Sequence, residues 1–264
     1  MQIKGVTAVV TGGANGIGKA LAQALHQRGA ARVIVADLDG DKAQAVAQQI
    51  GGQGVGLDVR DGDAMGAMID QIEADHGPIG LFCSNAGVLM GLDDSLTTSV
   101  NASDAEWQTS WEINVMAHVH AARHLVPRMQ ARGGGYFLNT VSAAGVLNQI
   151  GCAVYGTTKH AAIGFAENLA FTHRDGGIRV SVLCPQAVQT AMIEGTGGGG
   201  SAGLDGILSP QDVANCALDG VEAERFLILP HPQVAGYMEH KLADYDRWLG
   251  GMAKLQRMLR EGQA

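Results

Sequence analysis

The chain is short of aromatic residues, of positive charge and of unbroken apolar runs, and each shortage removes a class of protein. Phe, Trp and Tyr make up 5% of its 264 residues, while Ala and Gly are abundant, which suits close packing of helices on a sheet. Lys and Arg number 18 against 26 Asp and Glu, for a formal net charge of -8, and no basic cluster offsets it. That balance argues against a nucleic-acid surface. No charged start leads into an apolar leader segment, and no apolar run approaches the ~18 residues that span a bilayer, so neither secretion nor membrane insertion is expected. The four cysteines, Cys83, Cys152, Cys184 and Cys216, form no C-x-x-C pair. Cys83 and Cys184 fall in strand-like runs, where free cysteine behaves as a small hydrophobe. A reducing, cytoplasmic setting is the plain expectation.

What is present alternates between strand and helix signals, with no repeat or linker to divide residues 1–264 into more than one α/β domain. Residues 6–11 are an apolar, β-branched run between Gly5 and Gly12, the pattern of a buried strand. Gly12-Gly13-Ala14-Asn15-Gly16-Ile17-Gly18 then opens a helical pattern through Leu21, Ala22, Leu25 and Arg28, and residues 32–36 read as the next strand. Glycines at such a turn let backbone N–H groups approach a pyrophosphate at the helix N-terminus, where the dipole also favours negative charge. Asp37 ends the second strand, where a carboxylate can accept hydrogen bonds from the adenosine ribose. Leu38 follows, and no Arg or Lys stands at 13–15 to pair a 2′-phosphate. These residues favour NAD over NADP.

The alternation continues with a helix over 42–50, a strand over 54–57 ending in Asp58-Val59, and a helix to about residue 75 capped by Asp61. A strand over 79–84 carries Asn85-Ala86-Gly87 at its end. After a polar loop at 88–101, one long helix is expected from 103 to 127, with Asn114 buried among apolar neighbours. A fifth strand over 136–142 ends on Ser142, and a helix over 154–173 follows. Its apolar turn at 161–166 leaves no face for water, which predicts a subunit contact and a homodimer or homotetramer. A sixth strand over 179–184 is broken by Pro185. Residues 190–208, with glycine throughout 197–200, are expected to form a mobile substrate lid. Ser209-Pro210 starts another helix, 226–229 is the seventh strand, and 233–260 reads as a C-terminal packing helix interrupted at Gly250-Gly251. The expected fold is a single Rossmann-like, doubly wound domain with a seven-stranded parallel sheet and helices on both faces. In such sheets ligands bind beyond the carboxyl ends of the strands, so Gly12, Asp37, Asp58 and Asn85 should face one crevice. His118, His120 and His124 have no carboxylate or cysteine beside them, and no metal site is expected.

The chemistry-bearing stretch is Tyr155-Gly156-Thr157-Thr158-Lys159, preceded by Ser142. Four residues apart on a helix, Tyr155 and Lys159 share a face. A phenol loses its proton near pH ~10, and a held ammonium should pull that value down toward the working range. Such a pair can take a proton from an alcohol or return one to a ketone, with the Ser142 hydroxyl holding the substrate oxygen.

Taken together, Thr11-Gly12-x-x-x-Gly16-x-Gly18, Asp58, Asn85-Ala86-Gly87, Asn114, Ser142, Tyr155-x-x-x-Lys159 and Pro185 resemble the short-chain dehydrogenase/reductase family, over about residues 5 to 230. The resemblance implies Tyr155 as general acid/base, Lys159 as the group that lowers its pKa and holds a ribose, Ser142 as the substrate anchor and Asn114 as the anchor of a relay water. It implies cofactor contacts at Gly12, Asn15, Gly16, Ile17, Gly18, Asp37, Leu38, Asp58, Val59, Asn85, Ala86 and Gly87. Tyr155, Lys159, Pro185, Val188 and Thr190 complete that set. Two departures stand out: Ser84 replaces the family's usual Asn, and Gln186 replaces the Gly that usually follows Pro185. The implied activity is NAD-dependent interconversion of a secondary alcohol and a ketone by hydride transfer. An NADP-preferring carbonyl reductase and a non-catalytic dinucleotide sensor are the alternatives; a related epimerase or dehydratase usually has a longer chain.

Overall fold

The computed structural model describes residues 1–194 and 200–262. The strands are β1 (Thr7–Thr11), β2 (Arg32–Asp37), β3 (Gln53–Gly56), β4 (Ile79–Ser84), β5 (Gly135–Thr140), β6 (Ile178–Leu183) and β7 (Leu227–Ile228). They form one seven-stranded sheet in the order β3-β2-β1-β4-β5-β6-β7, every pair parallel. β1 is buried along its whole length, as a central strand covered on both faces must be. The strand order reverses between β1 and β4, which opens a crevice beyond their carboxyl ends.

The helices are α1 (Gly16–Gln27), α2 (Gly40–Gln49), α3 (Gly62–His76), α4 (Asp104–Trp111), α5 (Ala117–Ala131), α6 (Ala144–Leu147), α7 (Ala153–Thr172), α8 (Pro210–Glu222), α9 (Gln233–Ala243) and α10 (Tyr245–Arg260). Leu21 and Leu25 of α1, Val46 of α2 and Val213 and Leu218 of α8 pack with Val10 and Val35 on one side of the sheet. Ile69 of α3, Leu125 of α5 and Leu169 of α7 pack with Phe82 and Phe137 on the other. Alternate strand residues therefore feed two cores, which is the doubly wound arrangement expected. Gly80 and Gly145 illustrate why few aromatics are needed: small residues let the layers close tightly, and Val6 and Ile163 already fill the space beside them.

Two elements differ from their sequence patterns. The long helix expected over 103–127 is divided. Ser103 and Glu106 cap α4 reciprocally, a π-helical turn occupies Glu112–Met116, and α5 runs past Pro127 to Ala131. The proline ring is on the exposed side, while Val126 and Met129 are buried and hold the last turn in place. The single helix expected over 233–260 is two, parted at Asp244 rather than at the glycines. The Asp244 carboxylate accepts the Arg247 N–H at 2.9 Å and starts α10, which contains Gly250 and Gly251. Of the glycine run expected in a lid, residues 197–199 lie outside the described residues. No helix among the described residues is long and apolar enough to cross a membrane.

Candidate active site

A cavity of about 1010 Å³ lies at the carboxyl ends of β1, β2, β4, β5 and β6. Every residue expected to hold the cofactor borders it, from Gly12, Asp37 and Asp58 to Pro185, Val188 and Thr190. Ser142, Tyr155 and Lys159 border it too, so residues scattered over most of the chain meet in one space.

At the dinucleotide end the glycine loop is set by close backbone packing. Gly12 has φ +62°, and a Cβ there would come 2.9 Å from the Ala86 Cα. A Cβ on Gly18 would collide with the Gly12 carbonyl. Thr11 fastens the loop to the end of β4: its Oγ1 accepts from the Asn85 N–H at 3.0 Å and the Ala86 N–H at 3.2 Å. Asn85 Nδ2 in turn donates to the Thr11 carbonyl at 3.1 Å. Asn15, which precedes α1, makes no side-chain cap, and the first turn carries no acidic residue. The N–H groups that open α1 are therefore left without either substitute for an anion, and the site fits a pyrophosphate. Asp37 accepts the Ala14 N–H at 3.0 Å and the Asp39 N–H at 3.2 Å, tying the loop to β2. Asp58 is paired with Arg60 at 2.6 Å, and that bonding holds its carboxyl below the usual range. Arg60 and Lys159 are the cations among the described residues that line the cavity.

The reacting centre is built by β5, α7 and the turn after β4. Ser142 stands just beyond β5 with φ +153°, a conformation rarely adopted by residues with a side chain, and its Oγ accepts the Ala144 N–H at 3.1 Å. Lys159 is buried, its Nζ 5.4 Å from the centre of the Tyr155 ring and 3.4 Å from the Thr140 carbonyl to which it donates. A Cβ on Gly87 would meet Asn114 Oδ1 at 3.2 Å and Lys159 Nζ at 3.3 Å, which accounts for the missing side chain there. Burial pushes the Tyr155 phenol up to about 12, against the pull of the Ser142 hydroxyl. Burial likewise pushes Lys159 down to about 8. In the ligand-free protein burial therefore governs the phenol and raises it, and the group that pulls it down is the Ser142 hydroxyl rather than the Lys159 ammonium.

Asn114 lies behind the cavity, fully buried within the π-helical turn. Its Oδ1 accepts the Val88 N–H at 3.0 Å, and its Nδ2 donates to the Val88 carbonyl at 3.0 Å and to Thr158 Oγ1 at 3.1 Å. Both of its amide hydrogens and one lone pair of its oxygen thus go into holding the strand-end turn against α7. Two of the three histidines, His118 and His124, have hydrogen-bond partners within the fold. His118 Nδ1 is 2.8 Å from Ser84 Oγ, and burial followed by the Lys159 charge pushes that imidazole down to about 3. The His124 ring sits 3.1 Å from the Gly62 carbonyl. Ser84 therefore has a dedicated partner, supplied by a residue whose role no local pattern announces. Thr158, Thr140 and His231 were equally invisible in sequence. His231 accepts the Gln186 N–H at 3.1 Å through Nδ1, which fixes the backbone at the position where glycine is usual.

Comparison with known proteins accords with this geometry. The short chain dehydrogenase family model matches residues 6–197. A 1-deoxy-11-beta-hydroxypentalenate dehydrogenase from Streptomyces exfoliatus is 34% identical over 86% of this chain and 84% of its own. A 3beta-hydroxysteroid dehydrogenase from Eggerthella lenta is 32% identical over 71% of this chain and 73% of its own. Among solved structures, a short-chain dehydrogenase/reductase from Burkholderia phymatum in complex with NAD superposes with a TM-score of 0.82. It is 25% identical, over 93% of this chain and 96% of that one. The chain is a member of the short-chain dehydrogenase family of oxidoreductases.

Proposed function

We propose that the protein is an NAD-dependent dehydrogenase that interconverts a secondary alcohol and a ketone. The observation that carries this reading is the meeting of Ser142, Tyr155 and Lys159 on the wall of the cavity bordered by the glycine loop and Asp37. In the oxidation direction Ser142 and Tyr155 hold the substrate oxygen, and Tyr155 takes its proton. When bound, NAD supplies the hydride acceptor and a positively charged ring. The hydroxyl proton and the hydride thus leave the same C–H/O–H unit to separate acceptors, and a ketone remains. Lys159, mostly protonated at neutral pH with a value of about 8, favours the phenolate once it forms and holds a ribose hydroxyl. In reduction the roles reverse, with Ser142 and Tyr155 stabilising the developing oxyanion. Asn114 acts as a positioning residue through Val88 and Thr158, and its turn anchors the relay water.

Asp37 is the basis for NAD over NADP: the cations near it among the described residues are already paired, Lys42 with Asp39 at 2.8 Å and Arg60 with Asp58 at 2.6 Å. A reducing compartment suits four free cysteines, two of which, Cys83 and Cys184, are raised to about 12 by burial. Residues on both sides of the undescribed stretch, Thr190 and Met192 before it and Ser201 after it, border the cavity. That placement supports a lid role for 190–208. Hydrogen exchange at 200–208 should slow on binding cofactor and alcohol; equal protection in the free protein refutes the lid. On α7, Gly164 is exposed and an added Cβ there meets no described atom within 4 Å. Its open face supports a symmetric helix contact and a dimer or tetramer.

The decisive test of the activity is Tyr155→Phe, assayed with NAD and a panel of secondary alcohols. Turnover should fall by a factor of order 10² or more while NAD affinity changes little. Wild-type turnover in that variant refutes the mechanism.

A further inference from the structure

A second chamber adjoins the reacting centre. It measures about 530 Å³ and is walled by α6, by the segment around Leu204 and by the inner face of α9 and α10. Ser142, Gln149, Gln186, Ser201 and Ala202 border both this chamber and the main cavity, so the two share a throat. Ser142 stands in that throat. A substrate whose oxygen is held there can extend in one direction toward the hydride acceptor and in the other into the second chamber.

The roof of the chamber is the unusual element. α10 is 16 residues long and contains no buried residue. Yet Trp248, Met252 and Leu255, spaced by four and three residues and so on one face, line the second chamber, and Leu259 one turn on lines the main cavity. The helix is attached over the site by polar ties: Gln256 Nε2 donates to the Leu96 carbonyl at 2.8 Å. At the base of the preceding helix, Lys241 Nζ donates to the Val146 carbonyl at 2.6 Å. An amphipathic helix normally buries its apolar stripe against protein. Here Trp248 packs partly against the cluster of Ala143, Leu147 and Val234, and the stripe as a whole borders a void continuous with the candidate reacting centre.

Among the charged groups that border the chamber, Asp205 accepts the Tyr237 hydroxyl at 3.0 Å and Asp244 accepts the Arg247 backbone N–H at 2.9 Å. Two carboxylates, Asp205 and Asp244, stand against the one guanidinium of Arg247, a balance that disfavours a carboxylate or phosphate. Leu147, Leu204, Trp248, Met252 and Leu255 supply the apolar wall, beside His240, Asn148 and Gln149. Ligand sites of drug-sized molecules occupy ~300–1,000 Å³, so this chamber alone is as large as a whole site. A small alcohol would leave it filled with water against an apolar wall.

We propose that the second chamber is the distal subsite for the substrate, and that the substrate is a bulky, uncharged alicyclic alcohol or ketone whose hydrocarbon body lies beneath α10. This rests on the oxidoreductase reading of the same site and extends it to a substrate class. Small polyols are disfavoured by the size of the chamber, and charged hydroxy acids by the excess of Asp205 and Asp244 over Arg247 on its wall.

Gly251 offers a clean test. It lines the chamber from α10, and an added Cβ meets no described atom within 4 Å. The Cβ of Gly251→Phe therefore enters without a clash and directs a ring from the chamber wall, and replacing a helix-interior glycine does not weaken the helix. Gly251→Ala is the small control, and Leu255→Trp is a second filling substitution from the same wall. The probes are isopropanol and the epimeric steroid alcohols androsterone and epiandrosterone, so that hydroxyl stereochemistry does not decide the result. Rates are followed at the nicotinamide absorbance with NAD. Binding is followed separately through Trp248 fluorescence, which needs no turnover.

The wild type should oxidise at least one steroid alcohol with a kcat/KM well above that for isopropanol. Gly251→Phe and Leu255→Trp should lower the steroid value by about tenfold or more, mainly through KM, since pocket occlusion costs at least what a misfitted methylene does. Isopropanol oxidation and NAD affinity should stay at wild-type values, and the saturable fluorescence change should disappear in both filling variants but not in Gly251→Ala. Equal effects on steroid and isopropanol, or no effect on either, overturn the subsite. So does a wild type that oxidises isopropanol but shows no saturable steroid binding, an outcome that leaves the oxidoreductase reading intact. Saturable steroid binding abolished by Gly251→Phe, with no alcohol turned over by the wild type, supports the chamber and refutes the dehydrogenase reading instead.

Discussion

The charge on Asp37 gives the most direct quantitative test of the cofactor site. Its two oxygens each accept one backbone N–H, from Ala14 at 3.0 Å and from Asp39 at 3.2 Å. Half of its roughly four lone-pair directions therefore remain for a ribose. A 2′-phosphate at that ribose would meet the carboxylate as a like charge. At ~4 Å and an effective dielectric of ~20, two unit charges repel by about 4 kcal/mol. Asp37 is only half-buried and Leu38 beside it is 75% exposed, so solvent screens much of this. A net preference of roughly 1.5–3 kcal/mol remains, or about 10- to 100-fold in kcat/KM for NAD over NADP. Asp37→Asn removes the charge and keeps one acceptor for the Ala14 N–H. It should raise the NADP-to-NAD ratio of kcat/KM by that factor. Because the two N–H groups bond to different oxygens of Asp37, one of them would face the amide NH2 instead, and stability should also fall by about 1 kcal/mol, read from a denaturant midpoint. Adding Leu38→Arg, a surface position with room for a cation, should carry the preference past unity. The assay is initial rate against each dinucleotide at one fixed alcohol concentration. Equal use of both cofactors by the wild type, or an unchanged ratio in Asp37→Asn, would show that this carboxylate serves only the loop.

Three further outcomes follow from the site. Burial raises Tyr155 to about 12 and lowers Lys159 to about 8, so the first proton lost by the pair in the free protein comes off near 8. The acceptor form needed for oxidation then grows as pH rises and the donor form needed for reduction shrinks. Oxidation should increase by about tenfold per unit through neutrality and bend near that value, with reduction running the other way. Oxidation rates flat from about pH 6 to about pH 9 would contradict the assignment. Lys159→Met, which removes a buried cation, should lose activity and also weaken NAD binding measured by titration; retained affinity would separate Lys159 from the ribose. Phe165→Glu places a charge on the half-buried face of α7 and should split the assembly in sedimentation, and a wild type that sediments as a monomer at micromolar concentration removes the basis for that contact.

The sequence by itself determined the order of strands and helices, because each signal is local. β-branched runs mark strands buried on both faces, Asp61, Ser103 and Ser209 cap the helices that follow them, and glycine marks the turn before α1. It also pointed to the residues that meet at the cavity, since Tyr155 and Lys159 are linked by helical spacing and Asp37 by its position at a strand end. Tertiary structure decided what depends on partners distant in the chain. Asn114 is held by Val88 and Thr158, Ser84 by His118, and Gln186 by His231, pairings separated by 26 to 45 residues that no local pattern encodes. The ionisation of the reacting pair was misjudged for the same reason. Proximity of an ammonium to a phenol is legible in a four-residue spacing, whereas desolvation depends on everything packed around them, and here it is the largest influence on Tyr155. The second chamber exists only because the chain breaks at Asp244 and returns α10 over Ser142 and Gln186, a closure made by elements more than 50 residues apart. Local propensity fixes elements within a few residues, while the space between elements is set by how they dock.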